Sequence, residues 1–188
     1  MEYDNIICVS GKIDGCKCRF ILRKEGDKPL ILIGLNPSTA DETTPDATIR
    51  KIIGFIDAWK KDSHHGYDSF IMLNLYPLIE TFPDELSKNP GNKNLHKRNL
   101  EKITSVLKEY PQGDVLLCYG DSIDKVSWLK EFRDDILNMI KTFPEIRLFQ
   151  LGDPTISGNP RHPSRLSYSV KLRPFASENL ASTAAFSE

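Results

Sequence analysis

Where apolar stretches of this sequence stop, amide, hydroxyl and imidazole side chains begin. Gly34-Leu-Asn-Pro-Ser-Thr-Ala-Asp41 follows the run Leu30 to Ile33. Gly34 permits close backbone approach, and Pro37 keeps Asn36 extended, so the Asn36 amide projects with a donor and an acceptor able to orient a water or a ligand. An ordinary loop using Asn36 and Ser38 for turn chemistry accounts for the same residues. Phe70-Ile-Met-Leu-Asn74 ends on a second amide, which can pair with the edge of a planar base through one donor and one acceptor, or can cap the loop. Tyr76 offers either a stacking face or packing beside Pro77.

The densest group of such residues is Gly158-Asn-Pro-Arg-His-Pro-Ser-Arg-Leu-Ser167. Pro160 and Pro163 flank His162 and stiffen the loop, which lowers the entropy lost when the imidazole is held against a ligand. Between Arg161 and Arg173 the cations Arg161, Arg165, Lys171 and Arg173 meet no acidic residue. That stretch suits phosphate contacts, and it equally describes a solvated face. Asp46-Ala-Thr-Ile-Arg50 opens a helical pattern with a carboxylate at the positive end of the helix dipole; alternatively Asp41, Asp46 and Arg50 line a pocket. Gly120 and Asp121 close a further apolar run. His64 and His65 read as a surface loop, and His96 as a helix face.

Positioning these residues requires strands and helices in alternation. Leu30 to Gly34, Phe70 to Asn74, Val115 to Tyr119 and Ile146 to Gln150 are apolar without alternation, the pattern of strands covered on both faces. Between them, Ile49, Ile52, Ile53, Ile56 and Trp59 form one helical stripe within about Asp46 to Lys60; Leu95, Leu100, Ile103 and Leu107 form another within about Asn94 to Tyr110. A third helix, capped by Asp121 or Ser122 and broken near Phe132, carries Val126, Leu129, Ile136, Leu137 and Ile140. The start reads as an edge hairpin, Ile6 to Val9 and Cys18 to Leu22, in which Arg19, Ile21 and Arg23 alternate with Cys18, Phe20 and Leu22. The expected architecture is a three-layer α/β/α sandwich around a central, mainly parallel four-stranded sheet, plus this hairpin. In such a sheet a ligand sits beyond the carboxyl ends of the strands, where Asn36, Asn74 and Gly120 fall.

At 188 residues the chain suits one domain, expected over 1–176, with a flexible tail at 177–188 rich in Ala and Ser. Lys and Arg number 25 against 26 Asp and Glu, so no global field draws in a polyanion. Cys8, Cys16, Cys18 and Cys118 form neither a disulfide framework nor a zinc spacing, and no metal or cofactor is expected. No apolar run approaches the roughly 20 residues that span a bilayer, and Met1 to Ser10 contains acidic residues, so no membrane partner and a cytoplasmic location are expected.

Two resemblances follow from these segments. Over about Cys18 to Phe175 the chain resembles domain of unknown function family 1643, through Leu35-Asn-Pro-Ser-Thr-Ala-Asp41, Asp46 to Arg50, Asn74-Leu-Tyr76, Asn89-Pro-Gly-Asn92, Tyr119-Gly120 and Arg161-His-Pro-Ser164. That likeness implies no activity. More distantly, Gly34-Leu-Asn-Pro37, Phe70 to Asn74, Leu117 to Ser122 and His162-Pro-Ser-Arg-Leu-Ser167 resemble, in order and placement, motifs of the uracil-DNA glycosylase superfamily, the first being similar to that of its mismatch-specific members. The second resemblance implies roles. Asn36 would position water, Asn74 with Tyr76 would bind the base, and His162 would stabilise charge on the departing base. Ser164 would contact phosphate and Leu166 would act as a wedge, with Ser38, Arg161, Arg165 and Ser167 as further contacts to the DNA backbone. Asp41, Arg50, Gly120 and Asp121 would complete the pocket. Because an Asn is a weaker base than an Asp, slow turnover or a narrow substrate is expected.

The expected function is therefore removal of a damaged or modified pyrimidine from DNA carrying a flipped base, a step that first costs a few kcal/mol of unstacking. Two alternatives remain: a noncatalytic nucleotide or nucleic-acid binder on the same scaffold, and a hydrolase or transferase acting on free nucleosides.

Overall fold

The computed structural model describes residues 1–60, 66–81, 83–87 and 91–175. His64, His65, part of the 89–92 segment and the tail at 177–188 lie outside the described residues. In chain order the elements are β1 (Ile6–Ile13), β2 (Cys16–Lys24), β3 (Pro29–Gly34), α1 (Ala47–Lys60), β4 (Ser69–Asn74), the single turn α2 (Pro83–Leu86), α3 (Lys93–Glu109), β5 (Asp114–Leu117), α4 (Ser127–Ile140), β6 (Arg147–Leu151) and β7 (Leu172–Pro174). The strands form one seven-stranded mixed sheet in the order β1-β2-β4-β3-β5-β6-β7. Parallel pairing holds β4, β3, β5 and β6 together, while β2 and β7 add to them antiparallel.

The expectation of a four-stranded sheet with an appended hairpin is thus corrected. Leu22, Arg23 and Lys24 of β2 pair with Met72, Ile71 and Phe70 of β4, so the hairpin extends the sheet and only β1 lies at its edge. The opposite edge is β7, three residues long and ending at Pro174. Along β1 the register shifts between Val9 and Ser10.

Why the central strands read as continuous apolar runs is visible in their burial. Every residue of β3, β4 and β5 is buried. On one face Leu30, Leu32, Phe70, Met72 and Leu116 pack with Ile49, Ile52, Phe55, Ile56 and Trp59 of α1. On the other, Ile31, Ile33, Ile71, Leu73, Val115 and Leu117 pack with Leu95, Ile103 and Leu107 of α3 and Leu129, Phe132 and Ile136 of α4. Each fully buried Leu, Ile or Phe contributes about 1.5–3 kcal/mol from removal of its apolar surface from water.

The helix starts follow local capping. Asp46 accepts the Ile49 amide at 2.8 Å ahead of α1, and Asn92 accepts the Leu95 amide at 3.0 Å ahead of α3. The third helix is not broken near Phe132, which lies buried inside α4. The interruption comes earlier, where Asp121–Lys125 makes a 3-10 turn and Val126 is extended before α4 begins. His96 is buried, stacked on Phe132 with ring centroids 3.8 Å apart, and its Nε2 lies 3.0 Å from Asp135 Oδ2. Among the described residues no helix is long and apolar enough to cross a membrane.

At the carboxyl end of β4 the chain leaves the sheet with carbonyls still buried. Asn99 of α3, fully buried, donates its amide to Asn74 O at 2.9 Å and to Leu75 O at 3.2 Å. Replacing it with a residue of similar size, Asn99→Leu, orphans both carbonyls. Urea unfolding should show a loss of about 1–3 kcal/mol with an unchanged m-value.

Candidate functional site

Because β3 sends its crossover through α1 to β4, and β4 sends its own through α3 to β5 on the other side of β3, the loops after β3 and β5 part from one another. Between them lies a cleft of about 270 Å³. Gly34 at the end of β3 and Asn36 and Ser38 after it form one wall, Gly120 and Asp121 follow β5, and His162 arrives from the loop before β7. Asp46, at the start of α1, and Arg19 of β2 complete it.

The Asn36 amide is held rather than free. Its Nδ2 donates to Glu80 O at 2.7 Å and Pro37 O at 3.0 Å, so Oδ1 is the end of the amide left to face a ligand. His162 is held by its own loop. Its Nδ1 accepts the Ser164 amide at 3.3 Å and lies 2.9 Å from Ser164 Oγ. With Nδ1 accepting, the neutral ring carries its proton on Nε2. Gly120 sits against this histidine at φ +68°, and a Cβ there would lie 2.9 Å from His162 Cβ. The backbone amide of Gly120 also donates to Pro160 O at 3.0 Å, tying the His162 loop to the end of β5.

Asn74 pairs in register with Gly34, the last residue of β3. It is 1% exposed, and among the described residues neither of its amide atoms has a hydrogen-bond partner. A Cβ at position 34 would lie 3.0 Å from Asn74 Oδ1, so the missing side chain of Gly34 leaves this amide directly behind the cleft wall. Asp121 is fixed beside the cleft by Thr155 Oγ1 at 2.6 Å and Asn159 Nδ2 at 3.0 Å.

Other candidates are placed elsewhere. Tyr76 is buried against Trp128 and Phe132, with its hydroxyl accepting the Asn92 amide at 3.1 Å, so its ring packs in the core and does not face the cleft. Asp41 accepts from the amides of Thr43 and Thr44 at 2.8 Å each, shaping its own loop. Arg50 is exposed and donates to Pro45 O. Leu166 packs against the apolar cluster under α1. Ser167 Oγ lies 2.8 Å from Ser169 Oγ, and Arg165 is exposed. The basic stretch is partly engaged by the protein's own surface: Arg161 donates to Asp153 O at 2.8 Å, and Arg173 pairs with the Asp153 carboxylate.

Arg19 is the residue that sequence reasoning missed. Alternation in an edge hairpin puts it toward solvent, yet it is 2% exposed and lines the cleft. The signal was weak, since neither the β2–β4 pairing nor the shift in β1 is written in the local pattern.

A family described as protein of unknown function, DUF1643, matches residues 19–164. The chain belongs to this family. Neither a curated protein nor a solved structure matches it. The match takes in each cleft residue named above, from Arg19 to His162.

His162 is exposed at the cleft, yet the protein packed around its ring desolvates it and lowers its pKa below the ordinary 6.5, and the Asp46 charge opposes that shift. Asp46→Asn, which preserves the helix cap, should therefore move the His162 titration further down by NMR. His96 is shifted down too, chiefly by burial. For both rings the unfolded chain takes up a proton first, so stability rises with pH up to about 6.5 and is lost as pH falls below it; urea midpoints at pH 7.5 and 5.5 check the sign. Gly120→Ala faces both a positive φ and a clash, and should cost about 1–3 kcal/mol in urea unfolding while displacing the His162 NMR resonances.

Proposed function

We propose that this protein is a DNA glycosylase-like hydrolase that cleaves the N-glycosidic bond of a damaged or modified pyrimidine. The observation that carries the reading is that Asn36 and His162, far apart in sequence, wall one small cleft at the carboxyl ends of adjacent parallel strands. Such a cleft, near the small end of ligand pockets, suits a single nucleoside unit rather than a longer segment.

The chemistry needs little else from the protein. Asn36 Oδ1 accepts a hydrogen bond from a water and aims its oxygen at the sugar carbon of the glycosidic bond. As that bond breaks, its electron pair moves onto the base, and Nε2–H of His162 donates to the base carbonyl where charge gathers, as an oxyanion hole does. The water oxygen bonds to the sugar carbon and releases its proton to solvent, while the freed base takes one up. Asn74, buried without partners behind Gly34, supplies an amide that a base edge could satisfy once the cleft is occupied. The uracil-DNA glycosylase resemblance supports the same assignment of Asn36, Asn74 and His162.

Oligonucleotides carrying uracil, mismatched or modified pyrimidines should acquire alkali-labile abasic sites on incubation with the protein. Asn36→Ala and His162→Ala should each slow base release by about 10²-fold or more. Release that survives both substitutions removes the mechanism.

A second reading, hydrolysis of free nucleosides or nucleotides in the same cleft, is favoured by Leu166. Its side chain is packed against the cluster under α1 and is not presented as a wedge. In that case base release from the free compound should be unaffected by Leu166→Ala, and DNA should not be cleaved.

A further inference from the structure

We infer that Arg19 is an anion-recognition residue, and that the cleft takes its substrate as a phosphate-bearing nucleotide, held by one pair of phosphate oxygens. The nucleotide part of this inference rests on the reading above; the anion part stands on Arg19 itself.

Arg19 is a charged side chain almost wholly removed from water. One nitrogen, Nη1, donates to the carbonyl of Ala40, while Nε is buried with no hydrogen-bond partner among the described residues. Among the described residues no carboxylate forms an ion pair with the guanidinium. Asp46 and Asp41 act on it from a distance, and both are otherwise engaged: Asp46 Oδ1 holds the Ile49 amide, and Asp41 Oδ1 holds Thr43 and Thr44. Burial consequently pulls the Arg19 pKa below its ordinary value. A buried cation with only one of its nitrogens satisfied is costly, and a partner with matching acceptors relieves that penalty. Since Arg19 lines the cleft, that partner can come from the ligand.

The surroundings narrow its chemistry. A guanidinium edge matches two oxygens of one planar or tetrahedral anion. Ser38 and Thr48 line the same cleft with hydroxyl groups, and Thr48 lies in the first turn of α1, where backbone amides have no partner within the helix. Asp46, Glu80 and Asp121 bring three carboxylates to the same cleft, so a singly charged group is accommodated better than a dianion. A phosphodiester, or a monoester in its singly protonated form, has that charge and that oxygen pair. Both sources share the chemistry, and they can be told apart by experiment.

Calorimetric titration of the full chain with inorganic phosphate, a pyrimidine nucleoside, its 5′-monophosphate and a short single-stranded oligonucleotide tests the proposal. A phosphorylated ligand should bind about 10-fold or more tightly than the nucleoside, equivalent to about 1.4 kcal/mol. Arg19→Gln should erase that preference while leaving nucleoside affinity in place, and Arg19→Lys should restore part of it. Tighter binding of the monophosphate assigns the site to a terminal phosphate; tighter binding of the oligonucleotide assigns it to an internucleotide one. Should Arg19→Gln fail to fold, the comparison between wild type and Arg19→Lys carries the test. Equal affinity of wild type for nucleoside and monophosphate, or a phosphate preference unchanged in both variants, overturns the role of Arg19. Binding of inorganic phosphate with no added affinity from the nucleoside supports the anion site and instead sinks the glycosidic reading.

Discussion

The site depends on where the chain must turn. A parallel strand can be followed by another parallel strand only through a crossover, and here the crossovers after β3 and β4 pass over opposite faces of the sheet. The ends of β3 and β5 are left side by side while their loops diverge, and the hydrophobic packing of α1 on one face and of α3 and α4 on the other keeps them there. The cleft is therefore a consequence of topology before it is a consequence of any particular side chain.

On that scaffold the polar groups fall into two kinds. Some are engaged and act as fixtures: the nitrogen of the Asn36 amide, Nδ1 of His162, Oδ1 of Asp121 and the nitrogen of the Asn99 amide each have named partners. Others are buried and left wanting, notably the Asn74 amide and Nε of Arg19. Folded proteins rarely tolerate unsatisfied buried polar atoms, and here Arg19 lines the cleft while Asn74 lies behind its Gly34 wall. Rigid donors and acceptors beside unsatisfied ones form a surface preorganised for a polar guest.

Much of this was legible in the residues. The four parallel strands announced themselves because burial on both faces demands unbroken apolar runs, and α1 and α3 because a single buried stripe repeats every three or four residues. The placement of Asn36 and Gly120 after strand ends followed from the same pattern. What local sequence could not show depends on long-range packing. Strand β7 is three residues containing an Arg and a Pro, below any periodic signal. Tyr76 and Leu166 look available in a linear reading, yet apolar neighbours from distant elements claim them. Arg19 is the reverse case: a charge that reads as solvated becomes enclosed because β2 joins β4.

The margins of the sheet have their own consequence. One outer strand carries an irregular register between Val9 and Ser10, and the other is very short and ends at a residue with no amide hydrogen to share. Neither margin offers a long, flat template to a passing chain, so the architecture discourages ribbon-like self-association and steers recognition away from its rims and into its interior crevice.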